Sequence, residues 1–189
     1  MQAFLVSTGI VALSEMGDKT QLLSVVLAVR FRKPIPIILG ILTATLVNHL
    51  SAGALGAWIT GILGRGTLRW VLGLSFIAMA IWALIPDKLD DAEERKSRFG
   101  VFGTTAITFF LAEMGDKTQV ATIALAAQYH ALIPVVAGTT LGMMIADVPA
   151  VFLGDKLAKK LPLKLLRGIT AALFAMLGIL ALFNVGHAF

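Results

Sequence analysis

Apolar residues along this chain gather into six long runs, at about residues 3–29, 35–62, 69–86, 100–128, 132–154 and 166–187. Each is close to or above the roughly 20 residues that an α-helix needs to cross a hydrocarbon core. The runs are continuous rather than alternating, which argues against the in-out pattern of a transmembrane β-barrel. Pro34, Pro36 and Pro134 stand where the second and fifth runs begin, and the first helical turn tolerates proline. The clearest polar break is PDKLDDAEERKSRFG, from Pro86 to Gly100, which divides the chain almost in half. The pattern predicts an all-α integral membrane protein with six transmembrane helices.

Composition agrees. Of 189 residues, 58% are hydrophobic and only 14% charged, too few charges to cover a soluble surface of this size. The opening MQAFLVSTGI has no basic leader and runs straight into the first span, so it reads as a span rather than a cleavable signal. The absence of cysteine excludes disulfides, thiolate metal sites and a cysteine nucleophile. The net charge of +5 does not point to nucleic acid, because the basic residues lie in short loops. Arg30, Arg32 and Lys33 follow the first span. Lys88, Arg95, Lys96 and Arg98 lie in the central linker. Lys156, Lys159, Lys160, Lys164 and Arg167 follow the fifth span. The opposite side carries only Arg65 and Arg69, and the turn at Tyr129 and His130 has no Lys or Arg. The positive-inside rule places the basic loops in the cytoplasm and both termini outside.

The chain also repeats itself. EMGDKTQ, residues 15–21, returns letter for letter at residues 113–119, an offset of 98. The same offset carries Pro36 to Pro134, Gly40 to Gly138, Arg69 to Arg167 and Phe76 to Phe174. Three spans per half is an odd number, so the second half enters the membrane in the opposite sense. The expectation is a single transmembrane domain of two inverted three-helix repeats, residues 1–86 and 100–189, joined by a cytoplasmic linker at 87–99. Inverted repeats are a signature of many secondary transporters.

The two motifs fall near the middle of spans one and four. An ionised side chain there costs about 2.5–3.5 kcal/mol on insertion scales, so these groups must face one another, a cation or trapped water. Glu15, Asp18 and Gln21 are three apart, so they are expected to share one helix face, and Lys19, four residues on from Glu15, can pair with it. Gly17 and Gly115 remove side-chain bulk and allow close approach or local unwinding. Together the motifs supply a candidate metal site of Glu15, Asp18, Gln21, Glu113, Asp116 and Gln119, an all-oxygen donor set that suits Ca²⁺, Mg²⁺ or Mn²⁺. Lys19 and Lys117 compensate part of the negative charge and leave a deficit that one divalent cation neutralises. Asn48, Asp147, Thr20 and Thr118 are further candidates, as metal ligands or proton relays. Pro149 supports Asp147, because proline frees a carbonyl one turn earlier. His49, the register partner of Asp147, reads as an interhelical hydrogen-bonding residue. Met16 and Met114 read as packing. The plain alternative makes all these charges buried salt bridges between helices, although such pairs stabilise poorly beside apolar packing.

Paired E-x-G-D-K-[ST] motifs, one per three-helix half, resemble those of the cation/proton exchanger family that includes the Golgi manganese/calcium transporters of eukaryotes and the bacterial manganese exporters, within the lysine-exporter-like superfamily. The resemblance covers nearly the whole chain. It implies exchange of a divalent metal for protons, with Glu15, Asp18, Glu113 and Asp116 forming the metal site and Thr20, Gln21, Thr118 and Gln119 matching the motif's tail. The chain looks like the compact bacterial form, for which the resemblance implies manganese efflux across the cytoplasmic membrane. The metal is then cargo, no cofactor is expected, and the partners are metal, protons and the lipid bilayer rather than nucleic acid. The sequence sets no oligomeric state; a homodimer is compatible with it. Three rivals stand beside this reading. A calcium/proton exchanger would use the same donors. An intramembrane aspartyl protease has no need of a duplicated lysine and lacks support from any further catalytic motif. A passive channel needs weaker binding than four clustered acids would give.

Overall fold

The computed structural model describes residues 1–85, 99–153 and 163–183. The linker residues 86–98, with Lys88, Arg95, Lys96 and Arg98, and the loop residues Lys156, Lys159 and Lys160 lie outside the described residues. The described chain is helical throughout: α1 (Gln2–Glu15), α2 (Lys19–Phe31), α3 (Pro34–Ile62), α4 (Arg65–Ala83), α5 (Gly100–Glu113), α6 (Lys117–Tyr129), α7 (Leu132–Leu153) and α8 (Leu163–Phe183). Among the described residues, three helices are long and apolar enough to cross a membrane alone, at Pro34–Ile62, Gly66–Ala83 and Leu132–Leu153.

The first and fourth apolar runs are not continuous helices. Each divides at its motif into two half-helices of 14 and 13 residues, each too short to span a bilayer by itself at 1.5 Å per residue. The shared face expected for Glu15, Asp18 and Gln21 is therefore corrected: a turn separates Glu15 from the other two. Elsewhere the sequence signals hold locally. Pro34 opens α3, and α7 runs on through Pro149.

Packing follows the repeat. The first half-helix of each half lies on the long helix of the other, α1 on α7 and α5 on α3. Glycine makes both contacts possible. A Cβ on Gly138 of α7 would meet the Phe4 carbonyl and Ser7 of α1, and a Cβ on Gly40 of α3 would meet the Phe102 carbonyl and Thr105 of α5. These are the same three positions shifted by 98 residues. Small residues let helix backbones approach where lipid supplies no hydrophobic drive to association. The third helices of each half, α4 and α8, pack on each other. Phe76 and Phe174 stack there with centroids 6.4 Å apart.

Gly142 of α7 tests this packing. A Cβ there would stand 2.7 Å from the Thr8 carbonyl oxygen and 2.9 Å from the Ala12 nitrogen. Both are backbone atoms and cannot rotate aside. Gly142→Val is expected to destabilise the purified protein by about 1–3 kcal/mol, read as a lower melting temperature. Gly168→Ala, with nothing within 4 Å of the new Cβ, is expected to lose no stability.

Candidate metal site at two broken helices

Each break has the geometry of a type II β-turn. Met16 has φ −63° and ψ 112°, Gly17 has φ +81°, and the Asp18 N–H donates to the Glu15 carbonyl at 3.0 Å. In the second half, Met114 has φ −64° and ψ 119°, Gly115 has φ +76°, and the Asp116 N–H donates to the Glu113 carbonyl at 3.1 Å. This turn requires positive φ at its third residue, which glycine adopts without strain. The glycine of the motif is thereby explained: it lets the helix stop and restart in the middle of an apolar run.

The glutamine serves the same turn. The Gly17 N–H donates to Gln21 Oε1 at 2.8 Å, and the Gly115 N–H to Gln119 Oε1 at 2.8 Å. Gln21 also donates through Nε2 to the Ala146 carbonyl at 3.0 Å. Both glutamines, expected beside the acids as ligands, have their amide oxygens engaged by backbone. The threonines hold the glutamates: Thr20 Oγ1 donates to Glu15 Oε2 at 2.5 Å, and Thr118 Oγ1 to Glu113 Oε2 at 3.1 Å.

Asp18 and Asp116 occupy the N-cap positions of α2 and α6, where an aspartate normally accepts a hydrogen bond from the first helical turn. Neither caps its helix. Each instead faces the lysine of the other half. Lys19 Nζ lies 3.2 Å from Asp116 Oδ1, and Lys117 Nζ pairs with Asp18 Oδ1. The expected pairing of Lys19 with Glu15 is thus corrected, because the break removes the i, i+4 relation and turns Lys19 across the interface.

These groups lie deep. Glu15, Asp18, Glu113, Asp116 and Asp147 are all buried, as is Lys117, whereas the Lys19 side chain keeps 28% exposure. Ligand oxygens from Glu15, Asp18 and Asp116 fall within 4.8 Å of one another, so acids from both motifs meet in one place. Glu113 stands outside that group of three. Glu15 Oε1 and Glu113 Oε1 are buried with no hydrogen-bond partner among the described residues. Unpartnered carboxylate oxygens are costly in an apolar interior unless something positive joins them. A small cleft reaches this cluster, lined by Ser14, Asp18, Lys117, Arg167 and Thr170 among others.

The remaining candidates sit around the cluster. Asp147 Oδ1 accepts from Ser24 Oγ at 2.8 Å. Asn48 donates to the Phe110 carbonyl at 3.1 Å, near the end of α5. His49 is fully buried, and neither ring nitrogen has a hydrogen-bond partner among the described residues, so the interhelical bond expected of it is not made there. Sequence reasoning missed Ser24 and the position of Arg167. Ser24 follows Gln21 by three residues and so lies on the same face of α2, a spacing that pointed toward α7.

Apolar runs, two of them broken at a duplicated acidic motif, define a membrane protein with a buried acidic cluster that is a candidate cation site. The family model described as "Divalent cation/proton antiporter GDT1" matches residues 3–91 and 101–188. The chain belongs to that family, and it is a divalent-cation transporter in class. It is 52% identical to a "Putative manganese exporter" of Vibrio cholerae over 97% of this chain and 92% of that protein. It is 30% identical to "GDT1-like protein 3" of Oryza sativa subsp. indica over 91% of this chain and 70% of that one. A GDT1-like protein of Synechocystis is 28% identical over 93% and 96% of the two chains. No solved structure matches the chain.

The turn geometry makes a direct prediction. Alanine at position 17 or 115 would have to adopt the left-handed region, at about 1–2 kcal/mol. Gly17→Ala and Gly115→Ala are each expected to lower stability by that amount in thermal unfolding of detergent-purified protein. Gly9→Ala, within α1 and with open space beside it, is expected to lose nothing.

Proposed function

We propose that this protein exports Mn²⁺ from the cytoplasm in exchange for protons, by alternating access, with the metal bound between the two EMGDKTQ motifs at mid-membrane. The observation that carries the reading is the meeting of Glu15 and Asp18 from one motif with Asp116 from the other, within 4.8 Å. The choice of manganese draws on the likeness to the Vibrio cholerae protein, and the exchange for protons on the family. The frame is a bacterial cytoplasmic membrane protein of six spans, with α1–α2 and α5–α6 each counted as one broken span. The halves, residues 1–86 and 100–189, are inverted repeats, the basic loops face the cytoplasm and both termini face outside.

In this mechanism Asp18 and Asp116 are the primary ligands, with Glu15 and Glu113 completing the acidic site. The C-termini of α1 and α5 point their negative dipole ends at it, as broken helices do at cation sites in transporters. Gln21, Gln119, Thr20 and Thr118 hold the turns and the glutamates in position. Lys19 and Lys117 act as tethered cations. Each neutralises the aspartate across the interface, and the arriving metal takes over that role. Protons compete with the metal for the same carboxylates, and the cluster titrates as a unit. Rocking one half against the other then changes the face to which the site opens. Asp147, held by Ser24, is assigned to proton transfer beside the site.

Proteoliposomes with purified protein and an imposed pH gradient test this. Mn²⁺ movement is expected to follow the proton gradient, and Asp18→Asn and Asp116→Asn are each expected to abolish it. Gradient-independent flux, or normal transport by either variant, contradicts the reading. Ca²⁺ is run in parallel, because the donor set accepts it. Thr20→Val and Thr118→Val, which free the glutamates without removing them, are expected to weaken Mn²⁺ binding about 10–100-fold, the usual range for groups that orient metal ligands. Apparent Mn²⁺ affinity is expected to fall as pH is lowered, since protons and metal share the carboxylates. An affinity independent of pH would place the protons elsewhere.

A further inference from the structure

The cleft that reaches Asp18 holds a cation of the protein's own. Arg167, near the start of α8, lines it together with Ser14, Thr170 and Lys117, and Ala83, the last residue of α4, is part of its lining. The cleft therefore approaches the acids from the end of the bundle where α4 stops and α8 begins. On the orientation proposed above this is the cytoplasmic end. Arg167 belongs to neither motif, and the transport scheme gives it no task.

Its repeat counterpart is Arg69 of α4, 98 residues earlier, and the two are placed differently. The Arg69 guanidinium lies 6.0 Å from the ring centroid of Trp70, and its Nε is buried without a hydrogen-bond partner among the described residues. The helices that carry them are placed unequally too. The α4–α8 pair rests on α1 and α6. The counterpart contacts, α4 with α5 and α8 with α2, are not comparably made among the described residues. The second half thus presents its arginine in a cleft beside the first half's motif, at Ser14 to Asp18, and Arg69 of the first half has no such cleft among the described residues.

We propose that Arg167 is a positioning residue of the cation path: a fixed positive charge in the cleft that keeps a cation from resting there, so that it either reaches the acidic cluster or leaves. The physical need is plain. The acids beyond the cleft attract cations all along it, and passage requires weak holding on the way. A fixed positive charge flattens that attraction. The proposal rests on the cation-transport reading for its purpose, but the charge effect is measurable without transport.

The chain contains no cysteine, so Ser14→Cys supplies the sole thiol, on the wall of the cleft. The full chain in lipid nanodiscs is reacted with a cationic trimethylammonium methanethiosulfonate and with an anionic sulfonate analogue, and the ratio of the two rates is taken. Adding Arg167→Gln is expected to raise the cationic-to-anionic ratio about tenfold, a shift within reach of one partly screened charge. Arg167→Lys, which keeps the charge, is expected to leave the ratio near its starting value, and so is Arg69→Gln. An unchanged ratio with Arg167→Gln overturns the proposal, as does an equal rise with Arg69→Gln. A merely structural arginine would not change reagent choice by sign of charge. Should Arg167→Gln not fold, Arg167→His replaces it. Its ratio is expected to rise between about pH 5.5 and 8 as the imidazolium loses its charge, relative to the arginine chain over the same range; a parallel course in the two overturns the proposal. A chain that moves no metal yet shows the ratio change refutes the transport reading while supporting the role of Arg167.

Discussion

Two aspartates at helix N-termini decline to cap their own helices, and the rest of this structure depends on what they do instead. Asp18 and Asp116 each meet the lysine of the opposite half. In a bilayer interior none of the four could be left alone, because a single buried charge is far more costly than a pair. The crossing makes each half the completion of the other. It also makes the arrangement replaceable. On the proposed function, a divalent cation arriving between the aspartates supplies the charge that the lysines now supply.

The crossing in turn requires the helices to break where they do. A continuous α-helix would direct Lys19 back toward Glu15 and bury the aspartate against its own backbone. The type II turn at Met16–Gly17 and its copy at Met114–Gly115 redirect the chain, glycine permits the left-handed step, and the glutamine carboxamide satisfies the glycine N–H that the break exposes. Buried backbone donors must find partners, which gives the last residue of EMGDKTQ a structural reason as firm as the acids' own. The bundle then holds the two turns face to face through glycines at matching positions, Gly138 against α1 and Gly40 against α5. The two halves are nevertheless not placed alike: Lys19 keeps partial exposure where Lys117 is buried, and the α4–α8 pair favours one side.

Much of this was legible in the letters. Long apolar runs gave the helical membrane class, and the exact duplication of seven residues gave the pairing of the halves and the identity of the acids. What the letters did not reveal were consequences of the break. The spacing of Glu15, Asp18 and Gln21 suits a continuous helix, and only the positive φ at Gly17 turns the glutamine into a brace and sends Lys19 across the interface. The hydrogen bond from Ser24 to Asp147 joins residues more than a hundred positions apart, and no local periodicity encodes it. Arg167 looked like one more loop cation, because its place in a cleft is set by how α8 packs on α1.

The central claim is that the two motifs build one cation site and not two. Equilibrium Mn²⁺ binding to the purified protein, followed by the loss of the free-ion electron paramagnetic resonance signal, tests it most directly. The account predicts one tightly bound ion per chain, lost both in Asp18→Asn and in Asp116→Asn. Two ions per chain, with each variant retaining one, would mean that each half carries its own site and that the crossing of the halves serves only to hold the helices together.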